Sequence, residues 1–181
     1  MEAIEYRGVI DKADWGEGPW NAEVDKAQWR DEATGYPCLI VRNGWVTGAL
    51  CGYVGVPKDH PAHGKNYDHY DFSEDPEPNT PIEQVINEVE VHGGLTYAAA
   101  CGHGEDPATG ICHIPGKGEP DDVWWFGFDC SHGGDLVPKM RRGVFNPEFA
   151  ALFRGDVYRD EAYVREQVAE LAKQLKAMEG L

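Results

Sequence analysis

The chain has 181 residues, 41% of them apolar and 27% charged, and 32 acidic against 16 basic side chains leave a formal net charge of −16. That length suits one domain that can bury a core without needing disulfides or metal to fold. The negative surface repels DNA, RNA and anionic membrane, and no apolar run approaches the ~20 residues needed to span a bilayer.

Five cysteines, Cys38, Cys51, Cys101, Cys112 and Cys130, fall at irregular spacing, and the opening Met1-Glu2-Ala3-Ile4-Glu5 is unlike a signal peptide. Reduced thiols and a cytoplasmic protein are therefore expected. Twenty-two glycines and twelve prolines predict many turns on a modest framework.

Residues 1–36 are polar and turn-rich, and they read as an irregular N-terminal segment. Trp15, Trp20 and Trp29 within them are expected to pack as lids or at the edges of the core. Cys38–Arg42 reads as a strand, and Asn43-Gly44 after it is a hairpin dipeptide that would send a return strand from Trp45 to Val56. Gly48, Gly52 and Gly55 inside that return strand predict bulges or the close approach of another backbone.

Residues 57–79 form a long polar loop containing His60-Pro61-Ala62-His63 and an acidic stretch with Asp68, Asp71, Glu74, Asp75 and Glu77. Thr80-Pro81-Ile82-Glu83 has the form of a helix start, with Thr80 as cap and Glu83 at the third position, and the helix would end near Glu88. Leu95–Ala98 reads as a strand and 101–122 as loop. Val123–Phe128 is the most apolar segment and reads as a central strand. A shorter helix is expected to start at Asn146-Pro147.

Asp160 is placed to cap a C-terminal helix over 160–179, in which Val164, Val168, Leu171, Leu175 and Met178 form one apolar stripe. These elements predict an α+β fold: a single compact domain over 1–181, with a small mixed or antiparallel sheet, long loops and a packed C-terminal amphipathic helix.

Two segments carry most of the chemistry. The first is Glu90-Val91-His92-Gly93-Gly94-Leu95-Thr96-Tyr97, where an extended run over 88–92 would put Glu88, Glu90 and His92 on one face. The second, Asp129-Cys130-Ser131-His132-Gly133-Gly134-Asp135, follows directly on the apolar strand, where ligands tend to meet a sheet. Both contain His-Gly-Gly, and bare N–H groups at glycine turns receive anions well.

If the two segments converge, His92, Asp129, His132 and Asp135 face one another as candidates for acid–base work. Glu90 joins them as a candidate set for a divalent metal, although the sequence requires no cofactor. Gly93, Gly94, Tyr97, Ser131 and Gly133 complete the candidate ligand-binding surface. His60 and His63 are read as a lid, with Tyr53, Tyr67 and Tyr70 as stacking surfaces.

Trp124 and Trp125 alternate across the sheet, so that one enters the core and the other is free to face a pocket. Lys139, Arg141 and Arg142 are the only basic cluster, just after the second segment, where they are placed to meet a phosphate or to form a solvated surface. Cys101-Gly102-His103 with Cys112-His113 has zinc-ligand residue types, but its spacing departs from common structural zinc patterns.

Several stretches resemble a family of small phage and actinobacterial proteins: Glu32–Arg42, Gly48–Val54, His60–Gly64, Val91–Tyr97 and Trp125–His132. The resemblance spans most of residues 25–175 and carries no catalytic residues over. By analogy with small phage proteins, it suggests a protein that sequesters a nucleotide immune signal of the host, working in the host cytoplasm.

The leading expectation is thus a binding protein for a small nucleotide-like ligand. The alternatives are a metal-dependent hydrolase acting on a nucleotide or phosphoester, and an acidic inhibitor that occupies a host protein's DNA-binding surface. No direct nucleic-acid or membrane partner is expected, and a homo-oligomer is compatible with the composition.

Overall fold

The strands β3 (Pro37–Arg42) and β4 (Leu50–Val56) are buried along their whole lengths, because both faces of the sheet are covered at its centre. That is why these stretches read as nearly continuous apolar runs rather than alternating ones. The computed structural model describes residues 1–68, 79–102, 106–140 and 155–181.

Around this centre lies one six-stranded antiparallel sheet. It is completed by β1 (Ile4–Tyr6), β2 (Lys26–Arg30), β5 (Tyr97–Ala100) and β6 (Trp124–Asp129), in the order β1-β2-β3-β4-β6-β5. Among the described residues two α-helices accompany it, α1 (Pro81–Asn87) and α2 (Glu161–Ala177). Together they form a single compact α+β domain with α2 packed on the sheet. Among the described residues no helix is long and apolar enough to cross a membrane.

α2 begins where Asp160 accepts a hydrogen bond from the Tyr163 N–H, and its stripe of Val164, Val168, Leu171 and Leu175, with Met178 just beyond, is buried. Each such side chain contributes about 1.5–3 kcal/mol of burial. Gly52 lets the helix settle: a Cβ there would lie 2.5 Å from Phe128 and 2.6 Å from Val168. α1 starts with the expected capping box between Thr80 and Glu83.

The two faces carry separate cores. Leu50, Val54, Val56, Phe126 and Phe128 meet α2 and α1, while Leu39, Val41, Cys51, Tyr53, Val123 and Trp125 form the second face.

Residues 1–36 are not irregular throughout. They hold β1 and β2, and Trp15 and Trp20 are fully inside rather than acting as lids. β2 was hidden because its second-face residues, Lys26 and Gln28, are polar yet buried. The Lys26 ammonium donates to the carbonyls of Pro107, Gly110 and Cys112, and Gln28 bonds both the N–H and the C=O of Ile114. A loop covers the face through hydrogen bonds, so no apolar alternation marks the strand.

The return strand starts at Leu50, not Trp45. Among the described residues, Asn43 included, no non-glycine residue has positive φ, so Asn43 does not form the tight mirror-image turn. Instead, a wider connection closes with Gly48 at φ +75° and its N–H on the Asn43 carbonyl, 2.7 Å. The fifth strand likewise begins two residues later than expected, at Tyr97.

The expectation of five reduced thiols is corrected as well: Cys101 and Cys112 are disulfide-bonded, whereas Cys38, Cys51 and Cys130 are free and buried. Burial pushes the Cys51 thiol up to about 12, so it stays protonated.

Candidate functional site

The two His-Gly-Gly bends meet beside α2. The first follows Val89-Glu90-Val91, which lies along the helix because Gln174 bonds both the N–H and the C=O of Glu90 and Gln167 accepts the His92 N–H. This run turns at 91–94 instead of staying extended, so Glu90 is exposed and does not share a face with His92. The second bend leaves the end of β6 and is held by Asp135, whose N–H donates to the His132 carbonyl at 3.0 Å.

Asp135 is the centre of the cluster. Its Oδ2 accepts from His92 Nε2 at 2.7 Å and from the His132 N–H at 3.0 Å, and its Oδ1 accepts from Arg159 Nε at 2.9 Å. Burial raises its pKa, but the bonds from Arg159, His92 and the His132 N–H outweigh burial and hold the carboxyl below its ordinary value.

An ionised carboxylate only accepts, so His92 Nε2 carries a proton, and its Nδ1 shares a hydrogen bond with the Tyr163 hydroxyl at 2.9 Å. Arg159 also lies over the Tyr163 ring, 4.9 Å from its centroid.

His132 is the less committed imidazole. Its ring centroid is 5.6 Å from that of His92, and its Nε2 is buried without a hydrogen-bond partner, 3.9 Å from Asp129 Oδ1. Gly93 leaves the room it occupies, since a Cβ there would sit 2.0 Å from that nitrogen.

Asp129 accepts from the Ser131 N–H at 3.0 Å and from the Ser131 hydroxyl. Burial raises the Asp129 pKa, but the bonds from Ser131 and Thr96 and the nearby His132 bring it below the ordinary value. Gly94, Gly133 and Gly134 face open space, and the N–H groups of Gly93, Gly133 and Gly134 find no backbone acceptor among the described residues.

His92, Asp129, Ser131, His132 and Asp135 are therefore together, and several other candidates are elsewhere. His60 is buried at the far end of α2, where its Nε2–H donates to the Leu175 carbonyl at 2.8 Å and its Nδ1 accepts from the Ala62 N–H at 3.0 Å. It is a core residue, not a lid.

His63 bonds the Asp122 carbonyl and leans on Trp124, at the end of β6 opposite Asp129, ~17 Å along a six-residue strand. Tyr53 is buried on the second face, edge-on to the half-buried Tyr97 at 5.3 Å, so it offers no surface for stacking. Trp124 bonds the Lys65 carbonyl and Trp125 packs beside His113, so neither faces the cluster. Lys139 holds the carbonyls of Gly44 and Trp45. Tyr70, Asp71, Glu74, Asp75, Glu77, His103, Arg141, Arg142 and the Asn146-Pro147 helix start lie outside the described residues.

The metal-ligand set Glu90, His92, Asp129, His132 and Asp135 does not assemble. Both nitrogens of His92 and both oxygens of Asp135 are already bonded within the protein, and among the described residues no three His, Cys, Asp or Glu side chains stand ready to hold an ion.

Sequence reasoning missed Arg159, Tyr163 and Gln167. Tyr163 and Gln167 are four apart on one side of α2, flanking the apolar stripe, and that spacing was the available signal. It also missed an open cleft of about 500 Å³ lined by Gly8, Ile10, Lys12, Gly16, Glu17 and Asn21, which shares no residue with the cluster. The Lys12 ammonium in its wall is already committed to Asp25 at 2.5 Å and to the Trp20 carbonyl at 2.9 Å. Chemistry, rather than volume, favours the histidine cluster as the candidate site. No family model, curated protein or solved structure matches the chain.

Proposed function

We propose that the protein binds a small anionic ligand of nucleotide type where its two His-Gly-Gly bends meet, and holds it without turning it over. The observation that carries this reading is the 5.6 Å approach of the His92 and His132 rings on adjoining bends, where the N–H groups of Gly93, Gly133 and Gly134 find no backbone acceptor among the described residues. Free N–H groups, the guanidinium of Arg159 and the imidazole of His132 supply donors to phosphate or ribose oxygens in a chain that is otherwise strongly acidic.

Binding suits the cluster better than catalysis. A general base needs a nitrogen within reach of substrate, and both nitrogens of His92 are occupied by Asp135 and Tyr163. A metal-dependent hydrolase on these residues needs lone pairs that the same bonds already use. His92, Asp135, Arg159 and Tyr163 are thus read as positioning groups, and His132 with the glycine backbone as the contact surface. The resemblance to small phage proteins makes a host signalling nucleotide the expected ligand.

Calorimetric titration of the full chain with mononucleotides, dinucleotides and cyclic dinucleotides tests the reading. At least one class is expected to bind, with His132→Ala and Arg159→Ala each weakening it tenfold or more. Chromatography of the released ligand is expected to return it intact. Absence of binding across the panel, or cleaved ligand, overturns the proposal.

A further inference from the structure

On the second face of the sheet the cover is a loop, residues 106–114, and polar bonds hold most of it in place. Lys26, Val41, Cys51 and Asp129 stand in one register row across β2, β3, β4 and β6. At one end of that row the buried Lys26 ammonium donates to the carbonyls of Pro107 at 2.8 Å, Gly110 at 2.7 Å and Cys112 at 2.6 Å. Two residues along β2, Gln28 accepts the Ile114 N–H at 2.8 Å and donates to the Ile114 carbonyl at 3.2 Å. Ile111 packs against the apolar cluster that contains Cys51 and Trp125, and the His113 ring meets that of Trp125 at 5.5 Å.

The closed loop leaves two polar atoms unsatisfied. His113 Nδ1 and Trp125 Nε1 are both buried with no hydrogen-bond partner where the loop meets the sheet. Water would satisfy both if the loop lifted, so their hydration favours opening. A stretch attached mainly through hydrogen bonds, with few apolar side chains, also opens at lower cost than the core.

One covalent tie opposes opening. Cys112 is disulfide-bonded to Cys101, eleven positions earlier and directly after β5. Ala100 pairs with Trp124 in the sheet, so the Cys101 end of the tie is anchored. Cross-linking a loop of this length removes enough freedom from the open form to disfavour it by about a hundredfold.

We propose that the Cys101–Cys112 disulfide is a redox latch on the cover formed by residues 106–114, and that reduction uncovers Cys51 and Trp125 on the second face. The reductant is a dithiol. It breaks the S–S bond by exchange, closes into its own ring disulfide, and leaves Cys101 and Cys112 as two thiols, so that two electrons and two protons pass to the protein. Cys51 then meets solvent, its thiol returns toward ordinary acidity, and its thiolate becomes available to electrophiles. Cys38 and Cys130 belong to the first-face cluster that meets α2, and they remain covered.

The test compares the full chain in its disulfide form and after dithiothreitol, by iodoacetamide labelling at neutral pH with mass-spectrometric mapping. Cys51 is expected to be alkylated about a hundredfold faster in the reduced chain, while Cys38 and Cys130 keep their slow rates. Hydrogen exchange at the Ile114 amide should accelerate by a similar factor. The Cys101→Ser/Cys112→Ser double variant should label at Cys51 at the reduced rate with or without dithiothreitol. A reduced chain in which Cys51 stays as slow as in the disulfide form, or a folded double variant that labels at the oxidised rate, overturns the proposal. So does equal acceleration at Cys38 and Cys130, which would mean that the disulfide holds the whole fold rather than one cover. If the double variant does not fold, the wild-type comparison decides.

Discussion

His92 Nε2 donates to Asp135 Oδ2 across 2.7 Å, joining two bends 43 positions apart in the chain. Asp135 is 4% exposed, so its charge persists only because His92, Arg159 and the His132 N–H all donate to it. Removing the carboxylate strands three donors at once. Asp135→Ala is therefore expected to destabilise the fold by about 2–4 kcal/mol, read as a shift in the urea midpoint. The double mutant with His92→Ala should fall short of the sum of the two single effects by about 1 kcal/mol or more, because both changes break the same bond.

Gly93 and Gly94 separate two costs of adding a methyl group. Both have positive φ, +68° and +84°, but only at Gly93 does a Cβ strike the His132 ring. Gly94→Ala should cost about 1 kcal/mol of backbone strain. Gly93→Ala should cost about 1–3 kcal/mol more, since it must also displace His132. Thermal melts of the two variants side by side provide the comparison, and equal losses would mean that His132 moves aside freely.

His60 makes the fold sensitive to mild acid. Burial holds its pKa below the ordinary value, and protonating Nδ1 would set a donor against the Ala62 N–H. Below about pH 6.5 the unfolded chain takes up this proton and the folded chain resists it, so stability falls as pH drops from 6.5 toward the lower folded value. His60→Gln should flatten that part of a stability–pH curve. Asp135 acts in a lower window: its contribution is full above its unfolded pKa of about 3.9 and fades as pH falls through its depressed folded value.

The tryptophans divide sharply. Trp20 is 1% exposed, packs edge-on to Tyr158 at 5.2 Å and donates to the Gly16 carbonyl. Trp20→Ala should cost about 3–5 kcal/mol in denaturant unfolding. Trp45, 89% exposed at the turn between β3 and β4, should change stability by no more than about 0.5 kcal/mol when replaced by alanine.

What was legible in the chain was whatever depends on near neighbours. The apolar runs of β3, β4 and β6, the stripe and cap of α2 and the Thr80–Glu83 box are set by periodicity and capping within a few residues. The two His-Gly-Gly segments could likewise be singled out by composition alone.

What only the tertiary structure decided was set by contacts between distant residues. β2 is a strand because Lys26 and Gln28 find carbonyls and an N–H more than eighty positions away, a form of burial that no hydrophobic alternation encodes. His60 and Tyr53 went into the core for the same reason: their partners, Leu175 and Tyr97, lie on other elements. Arg159, Tyr163 and Gln167 entered the site because α2 and the chain just before it pack beside the two bends and present them to His92 and Asp135. A sequence displays which groups a chain carries, but which donor meets which acceptor follows from the packing of sheet and helix.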